Sequence, residues 1–223
     1  MNDYKTQNGI IEAPLGVTKI RKLYNFASYF YSLANIIERK HHKRALELAN
    51  IRPDSKVLEV AVGLGYTFWE ILKRIDRNNT VYGIDLTPRM LDKTRKLVTK
   101  KGFTNFNLKE GDARYLPFPD ETFDVLYNSY MLDLIPLSDF SVILKEFHRV
   151  LKKGGRLVLV NFSKMDSAPV FVEKLYGLNP SFLLGCRPVL IESFVKEACF
   201  EGIKREVPKF LLSLPSEIIT AQK

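Results

Sequence analysis

The run VLEVAVGLG, residues 57–65, is an apolar strand pattern ending in a turn of small residues. Gly63 and Gly65 can take backbone angles closed to other residues and let a ligand approach the main chain. Asp85, 20 residues beyond Gly65 at the end of the next apolar segment, is placed to accept hydrogen bonds from both hydroxyls of a ribose. Glu59, beside the turn, can order the backbone that meets a charged amino-acid group. Gly111-Asp112-Ala113 follows a third strand-like segment; alone it reads as an ordinary turn. In register with Asp85 and the glycines it becomes an adenine site, with Asp112 accepting from the exocyclic amine and Ala113 offering its N–H. Together these residues describe a nucleoside site.

A dinucleotide is the rival ligand. Its fingerprint needs a third small residue for close helix packing, but that position is Phe68, and no second substrate domain follows. Without a pyrophosphate to hold, the turn suits a sulfonium nucleoside with an amino-acid tail. The three histidines, His41, His42 and His148, form no ligand cluster with Cys186 and Cys199, so no metal site is expected.

These residues need a scaffold that sets them on successive strand ends. Strands are expected at 56–60, 81–84, 106–109, 123–127 and 156–162, alternating with helices at 66–75, 88–101 and 136–151. Lys152-Lys153-Gly154-Gly155 reads as a turn before the last strand. Such βαβ alternation predicts an α/β, doubly wound, mostly parallel Rossmann-like sheet, with ligands at the carboxyl ends of the strands. A helix at 189–199 and two strands at 203–210 and 217–221 would add an antiparallel edge hairpin and bring the sheet to seven strands. Ahead of the sheet, apolar residues from Ile20 to Ile37 recur at helical spacing and lead into a charged run, 38–44. A further helix is expected near 170–176, in an irregular stretch from 165 to 188 that could cover a pocket.

With 223 residues, 46% hydrophobic and 26% charged, the chain reads as a single domain: an N-terminal helical cap, 1–52, on a Rossmann-like core, 53–223. No apolar run approaches membrane-spanning length, no signal-peptide pattern opens the chain, and two cysteines suit a reducing compartment; the expected location is cytoplasmic. The formal charge of +9 favours an anionic partner, although scattered Lys and Arg serving solubility is the simpler account.

The segments VLEVAVGLG, VYGIDLTPRML, GDARYLPFPDETFDVLYNSYMLDLI and LKKGGRLVLVNFSK resemble the motifs of class I S-adenosylmethionine-dependent methyltransferases, specifically the ubiquinone/menaquinone biosynthesis C-methyltransferase group (methyltransferase domain type 11). The resemblance covers about residues 20 to 165. Ala61 departs from the superfamily's first glycine but is similar to the quinone group, as is NFSK. The resemblance implies S-adenosylmethionine as cofactor and S-adenosylhomocysteine as product. It assigns Glu59, Ala61, Gly63, Leu64 and Gly65 to the cofactor pocket, Asp85 to the ribose, Asp112 and Ala113 to adenine and Ser129 to the methionine part, with Leu86 and Asn128 as further cofactor-binding residues. Leu132-Asp133-Leu134 stands where the family commonly has Arg-Asn, which marks a different acceptor pocket.

Methylating a quinol carbon also needs a proton acceptor, and Asp133 and Tyr130 are the catalytic candidates. Tyr24, Tyr29 and Tyr31 on the first helix are candidates to close over cofactor or acceptor, against the commoner role of core packing. A lipid-soluble quinol would bring the protein to a membrane surface, where the basic stretch 39–44 suits anionic headgroups. Phosphatidylethanolamine or another small-molecule amine is the alternative acceptor. RNA is a weaker one, since no RNA-binding module accompanies the charge. A non-catalytic S-adenosylmethionine-binding protein is the third class. The oligomeric state leaves no trace in the sequence.

Overall fold

The computed structural model describes residues 6–7, 10–11, 13, 34–164, 186–208 and 215–223. Two short strands, β1 (Thr6–Gln7) and β2 (Ile10–Ile11), pair antiparallel. Helix α1 (Ala34–Leu48) precedes β3 (Val57–Val60), α2 (Tyr66–Leu72), β4 (Val81–Asp85), α3 (Pro88–Lys100), β5 (Phe106–Glu110) and β6 (Phe123–Ser129). A 3-10 turn, Leu132–Leu134, leads to α4 (Leu137–Val150), β7 (Leu151–Phe162), α5 (Glu192–Glu197), β8 (Glu201–Glu206) and β9 (Ser216–Gln222).

β3 to β9 form one sheet in the order β5-β4-β3-β6-β7-β9-β8. β3 to β7 run parallel, and β9 and β8 add antiparallel at one edge. β3 is buried along its whole length, as a strand covered on both faces must be. Leu137, Phe140, Ile143, Leu144, Phe147 and Val150 make the apolar stripe of α4, which with α5 covers one face. α1, α2 and α3 cover the other. The chain winds outward from β3 to β5, then returns to β6 on the other side of β3. That reversal opens a crevice at the carboxyl ends of β3 and β6.

The parallel core matches the expected strands to within a residue or two, and four elements differ. Helix 66–75 closes at Leu72. Helix 189–199 is limited to Glu192–Glu197, because Val189 bridges Ser163 in parallel instead. The strand expected at 203–210 is Glu201–Glu206. β7 starts at Leu151, five residues early: Leu151 pairs with Phe123 and Arg156 with Val125, so residues 152–155 form a bulge inside the strand. The expected turn chemistry is present there, with Gly154 at φ 73 and its N–H donating to the Lys223 carbonyl at 2.8 Å. The helix expected over 20–37 is described only from Ala34, and it continues through the charged run to Leu48. Tyr24, Tyr29, Tyr31 and the helix expected at 170–176 lie outside the described residues.

Candidate functional site

The β3 turn is locked to β4 before any ligand arrives. Ala61 and Val62 donate to the Ile84 carbonyl at 2.7 and 3.1 Å, and Thr94 Oγ1 donates to the Gly63 carbonyl at 2.9 Å. Ala61, Gly63 and Gly65 sit at φ 63, 54 and 81, so the turn requires the left-handed region three times. At Gly65 a Cβ would lie 2.7 Å from the Thr94 side chain and 2.9 Å from its Cα, so only glycine lets α2 start there.

Asp85, 7% exposed, accepts from Gly63 N–H at 2.9 Å and from Thr87 N–H at 2.8 Å. Burial pushes its carboxyl up to about 6, against the opposing pull of those amide donors. Glu59, buried on β3, has an Oε2 with no hydrogen-bond partner among the described residues. Burial, then the charge of Asp85, raise its carboxyl well above the usual range. Asp112 is desolvated too, but the Arg114 guanidinium at 2.6 Å and the Arg114 amide outweigh this and hold its carboxyl below the ordinary value.

One cleft gathers Glu59, Ala61, Gly63, Leu64, Gly65, Asp85, Leu86, Asp112, Ala113, Ser129 and Tyr130. Two expected site residues stand outside its lining. Asn128 is fully buried and donates to the Val60 carbonyl at 2.9 Å, tying β6 to β3. Asp133 is also fully buried; its Oδ2 accepts from Phe162 N–H at 3.2 Å. Its carbonyl accepts from the buried Arg187 guanidinium at 2.9 Å. Burial lifts the Asp133 carboxyl to about 7, but the group faces the β7 backbone, so the expected proton acceptor does not meet the cleft. Tyr130 does line it, with its hydroxyl 3.0 Å from Ser216 Oγ and its titration driven well above the ordinary phenol range by burial.

Sequence reasoning passed over several lining residues. Glu38 and His42 reach the cleft from α1, Thr67 from α2, Arg114 from the segment after β5, and Asp139 from the first turn of α4. His42 Nδ1 lies 3.1 Å from Tyr127 Oη and 3.3 Å from Thr67 Oγ1. The basic stretch 39–44 is split by this arrangement. His41 is buried, His42 turns to the cleft, and Arg44 makes two hydrogen bonds to the Glu206 carboxylate at 2.9 and 3.0 Å. Phe68, the residue that argued against a dinucleotide, is fully buried between α2 and the sheet, and its ring would lie 2.8 Å from a Cβ at Gly83.

Residues 17–180 match the model of the ubiE/COQ5 methyltransferase family. The chain belongs to that family. It is 34% identical over 143 residues to the ubiquinone/menaquinone biosynthesis C-methyltransferase UbiE of Teredinibacter turnerae, covering 64% of this chain and 56% of that protein. Against the demethylmenaquinone methyltransferase of Staphylococcus aureus it is 32% identical over 180 residues, 79% of this chain and 71% of that one. The chain thus spans little more than half the length of the first of these relatives. A SAM-dependent methyltransferase from Thermotoga maritima superposes with a TM-score of 0.67 at 19% identity, over 91% of this chain and 99% of that one. The overall fold is therefore shared with that methyltransferase.

Proposed function

We propose that the protein is an S-adenosylmethionine-dependent C-methyltransferase whose acceptor is a lipid-like quinol. The observation that carries the cofactor assignment is the buried Glu59 Oε2, without a hydrogen-bond partner among the described residues, in the lining of an acidic cleft. Five carboxylates, Glu38, Glu59, Asp85, Asp112 and Asp139, face that cleft, with Arg114 as its one permanently charged cation among the described residues. Such a lining favours a cation and opposes a pyrophosphate. The residues present fit the group: Glu59 toward the ammonium of the amino-acid tail, Asp85 toward the ribose hydroxyls, and Asp112 with Ala113 toward adenine. When bound, S-adenosylmethionine supplies an electrophilic methyl group. The chain's own part is to orient the acceptor in line and exclude water.

The quinol acceptor is supported by the family and by the relatives named for ubiquinone, menaquinone and demethylmenaquinone. No helix among the described residues is long and apolar enough to cross a membrane, so a lipid acceptor would be met at a surface. Arg39 and Lys43 lie on the exposed side of α1 for that contact. The test pairs calorimetry of S-adenosylhomocysteine with transfer of labelled methyl to a reduced short-chain demethylmenaquinol, phosphatidylethanolamine vesicles or tRNA. Transfer to the quinol alone is expected. Transfer only to the lipid amine or to tRNA would overturn the acceptor, and absence of S-adenosylhomocysteine binding would overturn the cofactor.

A further inference from the structure

Carbon methylation of a hydroxyaromatic ring is driven by taking the hydroxyl proton, so the cleft needs a base within reach of the acceptor. Most of its titratable groups are engaged. Both Asp85 oxygens accept backbone N–H groups, and Asp112 and Asp139 share Arg114. Glu59 lies at the end suited to the amino-acid tail, Tyr130 is bonded to Ser216, and Asp133 faces away.

Tyr66, at the start of α2, is 45% exposed, so the shielded groups left are His42 and Glu38, one helical turn apart on α1, with side chains 12% and 11% exposed. His42 Nδ1 is held by the Tyr127 and Thr67 hydroxyls, at 3.1 and 3.3 Å, and the ring meets Tyr130 edge-on at 5.6 Å. Nε2 stands 3.9 Å from Glu38 Oε2. That is too long for a hydrogen bond, and the gap leaves room for an acceptor hydroxyl to donate its one proton to Nε2 at about 2.8 Å. With Nδ1 carrying the hydrogen and donating to Tyr127 Oη, the lone pair of Nε2 points to that gap. Along the sheet, the acids suited to adenine and ribose follow β5 and β4, whereas His42 packs over β6 at the other end of the row.

We propose that His42 is the catalytic base, its Nε2 taking the proton of an aromatic hydroxyl on the acceptor, with Glu38 as the positioning residue that stabilises the resulting imidazolium. The inference rests on the reading of the protein as a methyltransferase of hydroxyaromatic acceptors. In the step, the acceptor O–H bond breaks, its proton joins Nε2, and the electron pair stays on oxygen, where it enriches the ring carbons. The imidazolium then returns the proton to solvent. The groups facing His42 are Glu38 and His41 on α1, Tyr127 on β6, Tyr130 after it, and Thr67 on α2.

The test compares wild type with His42→Gln, His42→Ala and Glu38→Gln. Calorimetry of S-adenosylhomocysteine should give affinities for the two His42 variants within about threefold of wild type, which verifies their fold. Absorbance titration of 1-naphthol in the S-adenosylhomocysteine complex reads the proton step without turnover. Bound naphthol should ionise at a pH about one unit or more lower in wild type than in His42→Gln. With a reduced naphthoquinol acceptor, His42→Gln should lose about 10²- to 10⁴-fold in kcat, and added imidazole should restore part of the activity of His42→Ala. Glu38→Gln should move the acidic limb of the kcat profile with a smaller loss. If wild type methylates the naphthoquinol while His42→Gln keeps its kcat and its naphthol titration, His42 is not the base and the methyltransferase reading stands. If wild type methylates no hydroxyaromatic compound, that reading falls and the base assignment falls with it. Should the His42 variants fail to fold, an unchanged kcat profile in Glu38→Gln overturns the pair.

Discussion

Replacing Asp85 by Asn should make the free protein more stable and its cofactor complex weaker. The Asp85 carboxyl titrates at about 6 in the fold against an ordinary value of 3.8, a difference worth about 3 kcal/mol. A folded value above the unfolded one means that folding takes up a proton between those two pH values. The stabilisation is complete below 3.8 and is lost as pH rises through 6, so at pH 7.5 wild type carries the whole cost of an ionised, buried carboxylate. Asn holds the neutral state at every pH. Its amide can accept from only one of the Gly63 and Thr87 N–H groups, which takes back about 1–2 kcal/mol.

The net expectation at pH 7.5 is a gain of about 1–2 kcal/mol, or about 2–8 °C in Tm for a chain of this size. Differential scanning calorimetry of both proteins from pH 4 to 8 should show the advantage shrinking through pH 6 and disappearing toward 3.8. Isothermal titration with S-adenosylhomocysteine should show affinity weakened at least about tenfold, since charge-assisted hydrogen bonds contribute about 1.5–3 kcal/mol each. Wild-type affinity should itself decline below about pH 6. A variant that is less stable than wild type at pH 7.5 and binds S-adenosylhomocysteine equally well would refute both the electrostatic argument and the ribose assignment.

Ala61 sits in the left-handed region at φ 63, so Ala61→Gly should stabilise by up to about 1 kcal/mol in urea titrations, while Ala61→Val should destabilise by more than that. Gly65→Ala combines φ 81 with a Cβ 2.7 Å from the Thr94 side chain; expect a loss of about 2–3 kcal/mol and weaker S-adenosylhomocysteine binding, because the turn must shift. Arg187→Met strips the Asp133 and Ile135 carbonyls of donors at 2.9 and 2.6 Å in a fully buried setting. Unfolding free energy should fall by about 3 kcal/mol or more, with S-adenosylhomocysteine affinity little changed in the protein that remains folded.

The row of candidate cofactor residues was legible as a cluster because each of its members is a strand-end event. A short apolar strand followed by small residues or an acid is a local pattern, and the parallel order of β3, β4 and β5 then brings Gly63, Asp85 and Asp112 together without further information. Asp133 shows where locality runs out. It follows β6 closely, which suggested the pocket mouth, but Tyr130 takes φ 48 and the 3-10 turn after it buries Leu132, Asp133 and Leu134 together. Residue types do not announce the sign of φ at a tyrosine. His42 was hidden for another reason: its partners Tyr127 and Thr67 are 85 and 25 residues away. Arg187 bonds to backbone carbonyls, which every residue has, so its burial leaves no pattern of residue types to find.

The same distinction between local and summed properties explains why the formal charge of +9 pointed toward anionic partners while the cleft points toward a cation. Exposed lysines and arginines act through water and salt, and their influence fades over about 8 Å at physiological ionic strength. Glu59 and Asp85 are buried on adjacent strands, where screening is weak enough for the charge of Asp85 to raise the cost of ionising Glu59 or for a cation near both to relieve it. A ligand entering the crevice therefore meets the charge of a few desolvated carboxylates and not the average of the surface. The stability lost in keeping those acids together without a partner is what a cationic cofactor recovers on binding, and this is why the Asp85 variant should separate stability from affinity in opposite directions.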